Sequence, residues 1–305
     1  MNLLATSDLH LAHRSNREAL AALPARPDDW LIVAGDVGER PQHLVYALEI
    51  LTKRFARIIW TPGNHDLWCP QDAADRTRGV ARYEELVDTC GRFGVTTPED
   101  PFLTWPDEPD TVIVPMFLLF DYSFRPNDVP PEQTIEWARE RSAVSGDELL
   151  LSPAPWPSIE AWCHDRCDST ERRLSMLAEH TRTILINHWP LRYDLARPPR
   201  VPRFSPWCGT TRTEDWHRRF RARSVVSGHL HLRTTLWRHG VRFDEVSLGY
   251  PRDWHAERGV EWYLRPILPE RAPNRDRFVP ARDPFLGREP ATSEYPASSR
   301  ASRVY

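Results

Sequence analysis

Short apolar runs alternate with amphipathic stretches over residues 2–61, and this alternation constrains the fold more than any other feature. Residues 2–6, 30–34 and 57–61 are predicted strands, and residues 14–23 and 42–54 between them are predicted helices. Strand–helix–strand alternation is typical of α/β domains in which neighbouring strands run parallel. We therefore expect an α/β fold whose first half contains a largely parallel sheet.

The second half of the chain is richer in strands than in helices. Predicted strands cover residues 111–119, 182–187 and 224–227, and residues 234–237 and 241–246 form a predicted hairpin across Arg238-His239-Gly240. Helices are expected near residues 132–143 and over 159–180. The excess of strands indicates a second sheet.

The predicted organisation is one domain over residues 1–263, with a proline-punctuated insert around residues 121–157. From residue 264 to residue 305 the periodicity gives way to Pro, Arg, Ser and Ala. Such composition is typical of an extended or disordered arm, so residues 264–305 are predicted to be a C-terminal tail.

Composition argues against several classes of protein. The net charge of −3 gives no polycationic attraction, so no nucleic-acid partner is expected. No stretch has the length of a membrane helix and the N-terminus lacks a basic leader segment, so we expect a cytoplasmic protein without a membrane partner. The 5 cysteines do not suggest a disulfide framework. Cys163 and Cys167 flank His164, but no second pair completes a zinc site.

Side chains that can bind metal ions follow five of the predicted strands. Loops at the carboxyl ends of strands are where α/β folds build their sites. Asp8 and His10 are two residues apart, and so are His229 and His231. This spacing points both side chains of a pair to the same side of an extended backbone. Glycines at 35, 63 and 228 precede ligands and permit close backbone approach. The predicted ligands are Asp8, His10, Asp36, Asn64, His188, His229 and His231.

The donor set of carboxylates, imidazoles and one amide, without a thiolate, suits Mn, Fe or Zn. It exceeds the needs of one ion and fits two ions that share a carboxylate. Two such ions, about 3.5–4 Å apart, can clamp an in-line displacement at phosphorus. Their net positive charge suits a phosphodiester anion. Each residue alone has an ordinary structural alternative, such as a helix N-cap for an aspartate, but five such elements in order favour the metal site.

These blocks resemble the calcineurin-like metallophosphoesterase superfamily. The matching pieces are Asp8-Leu9-His10, Gly35-Asp36, Gly63-Asn64-His65-Asp66, His188 and Gly228-His229-Leu230-His231. The resemblance implies a four-layer α/β/β/α sandwich with two mixed sheets. It also implies that Asp8, His10 and His231 bind one metal, that Asn64, His188 and His229 bind the other, and that Asp36 bridges them. His65 would then be a catalytic residue that is not a ligand and either protonates the leaving oxygen or stabilises the transition state.

Protein phosphatases of this superfamily continue the second block with an acid and an arginine. Here Asp36 is followed by Val37-Gly38-Glu39-Arg40. By resemblance, Glu39 would orient His65 and Arg40 would hold a phosphate oxygen. Pro41 replaces the glycine expected next, so a solvent-facing Arg40 remains an equal alternative.

A narrower resemblance is to the actinobacterial 4′-phosphopantetheinyl hydrolases, carried by residues 28–36, 114–124, 207–217 and 249–254. It implies a phosphodiesterase that releases 4′-phosphopantetheine from holo-acyl carrier protein. A phosphomonoesterase, a nucleotide phosphodiesterase or a phosphoprotein phosphatase stays open, because one scaffold hosts many substrates. A non-catalytic binding scaffold is the remaining alternative.

Further residues could contact such a substrate. An arginine-bearing rim after His188 would attract an acidic carrier domain, and aromatic side chains could wall a slot for the pantetheine chain. The ordinary alternatives are a solvated loop and core aromatics. The rim residues are Arg192, Arg197, Arg200 and Arg203, and the aromatics are Trp68, Trp189, Tyr193 and Trp207. For His13, three residues after His10, lining the cleft and a surface position are equal alternatives.

Overall fold

The computed structural model describes residues 1–69 and 76–269. The strands within these ranges are β1 (Leu3–Thr6), β2 (Arg26–Ala34), β3 (Phe55–Thr61), β4 (Leu103–Trp105), β5 (Glu108–Pro115), β6 (Arg182–Ile186), β7 (Ala222–Ser227), β8 (Thr235–Arg238), β9 (Val241–Glu245) and β10 (Arg265–Leu268).

The α-helices in the same ranges are α1 (Arg14–Ala21), α2 (Pro41–Leu51), α3 (Asn64–Leu67), α4 (Gly79–Arg92), α5 (Thr134–Arg139), α6 (Asp147–Leu150), α7 (Ile159–Ser175) and α8 (Trp216–Arg219). Short 3-10 helices cover Pro131–Gln133, Tyr193–Leu195, Pro202–Trp207, Thr211–Thr213, Ala256–Arg258 and Val260–Tyr263. Among the helices described, none combines the length and apolarity that a membrane span requires.

The strands form two mixed sheets, as predicted. The first sheet has the order β10-β1-β2-β3, in which β1, β2 and β3 are parallel and β10 is antiparallel. The second has the order β4-β5-β6-β7-β9-β8, with a parallel centre and an antiparallel strand at each edge. The hairpin β8–β9 turns through His239 and Gly240, both at positive φ, which suits a tight two-residue turn.

The two sheets pack face to face through a core of β-branched side chains. Ile32 and Ile59 of the first sheet belong to the same buried cluster as Ile113, Ile184 and Val226 of the second. Strand side chains alternate between faces, so the neighbours of these residues point outward. Burying one such side chain fully contributes about 1.5–3 kcal/mol.

The outward faces are covered by helices, which completes the four layers. Leu31 and Val33 of β2 lie in one buried cluster with Leu44 and Leu48 of α2. On the second sheet, outward-facing residues of β5, β6 and β7 lie in the same buried cluster as Trp162 of α7. The α/β/β/α sandwich is therefore confirmed.

Several element boundaries differ from the prediction. β5 ends at Pro115 rather than at residue 119, and the side chain of Asn187 then accepts from the amide of Leu118 at 2.9 Å. α7 ends at Ser175 instead of residue 180, and the helix expected at 132–143 is the shorter α5 after a 3-10 turn. No element was predicted over residues 79–92, where the structure has α4.

The prediction that the domain ends at residue 263 and a tail begins at residue 264 is wrong for the first tail residues. Residues Arg265–Leu268 form β10, which pairs antiparallel with β1, and Ile267 and Leu268 are fully buried. Pro266 fits here because β10 is an edge strand, where a missing N–H costs little. Residues 270–305 lie outside the described ranges.

Candidate metal centre

The seven predicted ligands come together at the carboxyl ends of five parallel strands. β1, β2 and β3 of one sheet and β6 and β7 of the other end at the same edge of the sandwich, and each is followed within a few residues by a ligand. Five of the seven side chains are buried, and His229 and His231 are partly exposed. The two sheets therefore bring the seven side chains together at one edge of the sandwich.

The backbone at this point is strained. Left-handed conformations are uncommon for residues other than glycine, and they cluster where surrounding structure enforces them for function. Positive φ angles between 43° and 73° occur at five of the seven residues, namely Asp8, His10, Asp36, His229 and His231.

Two glycines allow the ligand loops to approach one another, as the sequence predicted. A side chain at Gly63 would collide with the carboxylate and amide of Asp36. A side chain at Gly228 would collide with the carboxylate of Asp8 and the hydroxyl of Ser7. Each glycine thus makes room for a ligand from a different strand.

Asp8, His10 and His231 form the first cluster of donors. His231 Nε2 lies 3.1 Å from Asp8 Oδ1 and 3.1 Å from His10 Nε2. Ligands held about 2.0–2.1 Å from one ion are roughly 3 Å apart, so these three atoms can reach a single cation. The other oxygen of Asp8 accepts from the hydroxyls of Ser7 at 2.5 Å and Ser247 at 2.7 Å, which fixes the carboxylate.

Asn64, His188 and His229 form the second cluster. His188 Nδ1 donates to the carbonyl of Ala34 at 2.8 Å, which leaves Nε2 with a lone pair. That lone pair faces Asn64 Oδ1 at 3.2 Å, and His229 Nδ1 faces the same oxygen at 3.2 Å. His188 Nε2 and Asn64 Oδ1 are therefore two acceptors that face each other, and such a pair repels unless a cation lies between the two atoms, so this geometry fits a bound metal.

Asp36 lies between the two clusters. Its Oδ2 is 3.5 Å from His188 Nε2, and Asp36 shares one group of close donor atoms with Asp8 and His188 and another with His10 and His65. Burial, followed by the charges of Asp8 and Asp66, raises the pKa of Asp36 well above its ordinary value. Nearby cations reverse that effect. The residues present therefore fit two divalent ions with Asp36 between them.

The protonation of the other donors also suits metal binding. Burial alone would raise the pKa of Asp8, but the charge and hydrogen bond of His231 outweigh it and hold that pKa well below its ordinary value. Burial lowers the pKa of His10 and His229, and it lowers that of His188 to about 4, so these rings are neutral at pH 7. Neutral imidazoles and ionised carboxylates are the forms that bind metals.

His231 differs from the other three histidines. Burial alone would lower its pKa, but the interactions with Asp8 and Asp253 have the larger effect and raise the pKa of His231 to about 9. Its Nδ1 donates to Asp253 Oδ2 at 3.1 Å, so Nε2 is the atom that faces the first cluster. A metal ion bound there has to displace a proton from Nε2, which makes binding weaker at low pH.

His65 lies beside the donors without joining either cluster of three. Its Nε2 is 3.8 Å from Asp36 Oδ2 and its Nδ1 is 3.6 Å from Glu39 Oε1. The ring packs on Trp68 with centroids 3.6 Å apart. The interaction with His65 is the largest cause of the lowered pKa of Glu39, so the carboxylate is ionised beside the imidazole. The structure thus brings the predicted pair Glu39 and His65 together.

The other predicted substrate residues lie at varied positions. Arg40 is exposed and precedes α2, and exposed His13 has its ring 5.6 Å from that of Tyr250. Arg197 and Arg200 are exposed on the loop before Pro202. Arg203 instead contacts α5, since it pairs with Glu140 at 2.7 Å. Their roles toward a substrate stay predictions.

The predicted aromatic slot is only partly open. Trp189 and Trp207 are fully buried, at 0% and 1% exposure, so they support the site from behind rather than line it. Trp68 is nearly buried but packs on His65, and Tyr193 is partly exposed. The order of residues along the chain could not distinguish a wall of the cleft from the core beneath it.

Asp66 is a supporting residue to which no role was assigned from the sequence. Its Oδ2 accepts from the amides of Asp36 and Gly63, each at 2.9 Å. Its Oδ1 accepts from the amides of Val37 at 2.9 Å and Gly38 at 3.2 Å. In the sequence, only its position directly after His65 indicated that Asp66 could belong to the site.

Asp147 was also missed, and the sequence carried no signal for it. It lies in α6, inside the proline-punctuated segment, and is 2% exposed. Its Oδ1 accepts from Asn64 Nδ2 at 2.9 Å and from Trp68 Nε1 at 2.6 Å. Asp147 therefore sets which way the Asn64 amide points and holds the indole on which His65 packs.

Asp253 and Tyr250 lie in the segment 249–254, and neither was assigned a role of its own from the sequence. Asp253 accepts from His231, as described above, and from the amide of Tyr250 at 3.0 Å. The Tyr250 ring stacks on His10 with centroids 4.3 Å apart and an interplanar angle of 19°. Hydrogen-bonded partners of ligands orient them and tune their basicity.

Comparison with known proteins places this geometry in a family. The model of the calcineurin-like phosphoesterases matches residues 1–233. The acyl-carrier-protein phosphodiesterase PptH of Mycobacterium tuberculosis is 48% identical over 272 residues, which cover 88% of this chain and 83% of that protein. The crystal structure of phosphopantetheinyl hydrolase PptH from the same organism matches with a TM-score of 0.84 and 46% identity, over 89% of this chain and 98% of that one. The chain therefore belongs to the calcineurin-like phosphoesterase family.

Proposed function

We propose that this enzyme is a phosphodiesterase that releases 4′-phosphopantetheine from holo-acyl carrier protein and leaves the carrier serine free. The chain is a metal-dependent hydrolase of phosphoric esters, as its family membership shows. The observation that carries the finer proposal is the 48% identity, over 88% of this chain, to a protein named for that reaction.

The geometry of the site supports the proposal independently of the sequence identity to PptH. When bound, two divalent ions polarise the phosphoryl oxygens and lower the pKa of water, the chemistry that ester hydrolysis at phosphorus needs. We propose Asp8, His10 and His231 as ligands of one ion and Asn64, His188 and His229 as ligands of the other, with Asp36 bridging. Because the donors are nitrogen and oxygen atoms without a thiolate, Mn, Fe or both are the proposed ions, and Zn also fits.

His65 is the proposed catalytic residue. Its imidazole adjoins Asp36 without belonging to either set of ligands, so it can protonate the serine oxygen as the phosphorus–oxygen bond breaks. Glu39, 3.6 Å from His65 Nδ1, holds the ring in place. The exposed Arg197 and Arg200 suit an acidic carrier surface.

Mass spectrometry of a carrier protein tests the proposal. Holo-carrier protein incubated with the enzyme and Mn²⁺ should lose the mass of one phosphopantetheine group. The product should then accept a new group from a phosphopantetheinyl transferase, because hydrolysis leaves the serine intact. An Asp36→Asn variant, which lacks a carboxylate between the two clusters, is the inactive control.

The alternatives within the family predict different results. A phosphomonoesterase, a nucleotide phosphodiesterase or a phosphoprotein phosphatase would leave the carrier mass unchanged while hydrolysing p-nitrophenyl phosphate, a cyclic nucleotide or a phosphopeptide. Unchanged carrier together with hydrolysis of bis-p-nitrophenyl phosphate would make the carrier substrate wrong and leave the phosphodiesterase chemistry in place.

Removing the metal ions should destabilise the fold. Without cations, the buried carboxylate of Asp36 faces the charges of Asp8 and Asp66. Ligands at about 100 times their dissociation constant stabilise a protein by about 2.7 kcal/mol, so a chelator should lower the Tm by roughly 5–10 °C. Calorimetry with and without Mn²⁺ measures this. An equal Tm in both states, or a Mn²⁺ effect that survives in Asp36→Asn, would contradict the proposed site.

A further inference from the structure

We propose that Tyr250 is a substrate-contacting residue, whose phenolic hydroxyl donates a hydrogen bond to a non-bridging oxygen of the phosphate group at the metal centre. The inference rests on the proposed function, because it requires a phosphate ester in this site. It adds a hydroxyl donor next to the metal ligands and His65.

Tyr250 lies at the boundary between the first donor cluster and solvent. Its ring stacks on His10, and its centroid is 4.9 Å from that of His231 and 5.6 Å from that of His13. The residue is partly exposed, whereas His10 beneath it is 2% exposed. Tyr250 therefore covers His10 on the solvent side of the first cluster.

The backbone around Tyr250 is tied to the loop that carries Asp8 and His10. The amide of Gly249 donates to the carbonyl of Asp8 at 3.0 Å. Asn16 Nδ2 donates to the carbonyl of Gly249 at 3.0 Å and to that of Leu9 at 2.8 Å. These bonds fix the ring relative to the donors, so no loop has to be ordered when a substrate binds.

A carboxylate completes this support. The amide of Tyr250 donates to Asp253 Oδ2, which also accepts from His231 Nδ1, and the amide of Asp253 donates back to the carbonyl of Tyr250 at 2.8 Å. One side chain thus positions both a proposed metal ligand and the tyrosine. Such shared support is expected where a side chain belongs to the site.

The hydroxyl of Tyr250, unlike its backbone amide, has no hydrogen-bond partner among residues 1–69 and 76–269. Most other tyrosine hydroxyls in those ranges are used by the fold. Tyr46 donates to the carbonyl of Arg17, Tyr83 to Glu99 and Tyr122 to Glu148, and Tyr263 accepts from the amide of His255. A partly buried phenol without a protein partner is available to a ligand.

The ring contacts of Tyr250 place it next to the metal centre. The ring of Tyr250 lies against two of the proposed ligands of one ion, His10 and His231. A phosphate bound at that ion therefore lies beside the same ring. A fixed donor aimed at a phosphoryl oxygen stabilises the charge on that oxygen without reorganising during the reaction.

A purely structural role for Tyr250, as a ring that supports His10, makes a different prediction from a substrate contact. Tyr250→Phe keeps the ring and its stacking and removes only the hydroxyl. We expect this variant to keep the wild-type metal content and Tm, and to lose about 10- to 100-fold in kcat/KM on bis-p-nitrophenyl phosphate and on holo-carrier protein. Tyr46→Phe, which removes a hydroxyl on α2, should match the wild type.

Binding of inorganic phosphate to the Mn-loaded enzyme, measured by calorimetry, gives a second readout that does not need turnover. We expect weaker binding by about tenfold in Tyr250→Phe. If Tyr250→Phe matches the wild type in phosphate affinity and in kcat/KM, the proposal is overturned. A wild-type enzyme inactive on carrier protein would instead refute the proposed substrate, and the phosphate measurement would still decide the role of Tyr250.

Discussion

Replacing His65 with alanine should lower kcat on a phosphodiester by roughly 100- to 10,000-fold, the range expected for loss of a general acid, and leave the metal content unchanged. The backbone amide of His65 donates to Asp36 Oδ1 at 2.9 Å, and alanine keeps that bond. The imidazole itself belongs to neither set of proposed ligands. Steady-state kinetics combined with elemental analysis of the purified variant measures both quantities.

The control separates loss of this imidazole from a general effect of removing a histidine. His180→Ala changes an exposed histidine beyond the end of α7 and should keep wild-type kcat. Glu39→Gln should give a smaller loss than His65→Ala, because it weakens the orientation of the ring but keeps the imidazole. If the His65→Ala variant turns over at the wild-type rate, or if it loses a metal ion, the role proposed for His65 is wrong.

Much of the site could be predicted because its residues follow strands. Asp8, Asp36 and His188 each come shortly after an apolar run, and parallel strands end at a common edge, so position along the chain translated directly into position in space. The resemblance added the expected division of the donors between two ions. The fold followed from the same alternation, since the two mixed sheets are the frame that brings these loops together.

The supporting residues could not be predicted in this way. Asp147 contacts Asn64 from 83 residues away in sequence, and Asp253 contacts His231 through a loop with no periodic pattern. Arg203 follows a proposed ligand along the chain, yet it pairs with Glu140. Such contacts depend on how irregular segments cross, which hydrophobic periodicity does not encode. The strand β10 was missed for a related reason, because two prolines concealed a short apolar edge strand.

Asp66 carries the largest predicted effect on stability. Its carboxylate accepts from four buried backbone amides, those of Asp36, Val37, Gly38 and Gly63. Each buried donor left without a partner costs roughly 1–3 kcal/mol, less where water can enter. We therefore expect Asp66→Ala to lower the free energy of unfolding by at least about 3 kcal/mol and the Tm by roughly 10 °C.

Asp100→Ala is the matched control, because Asp100 also accepts from a backbone amide and a hydroxyl, both of Thr97, but is partly exposed. It should cost only about 1 kcal/mol. Since Asp66 holds the backbone of Asp36 and of the two residues that follow it, its loss should also weaken metal binding by about 10- to 100-fold. Thermal unfolding and metal titration of the two variants test both effects. Equal Tm values for Asp66→Ala and Asp100→Ala would show that the four amides find other partners, and Asp66 would then be a neighbour of the metal centre rather than its support.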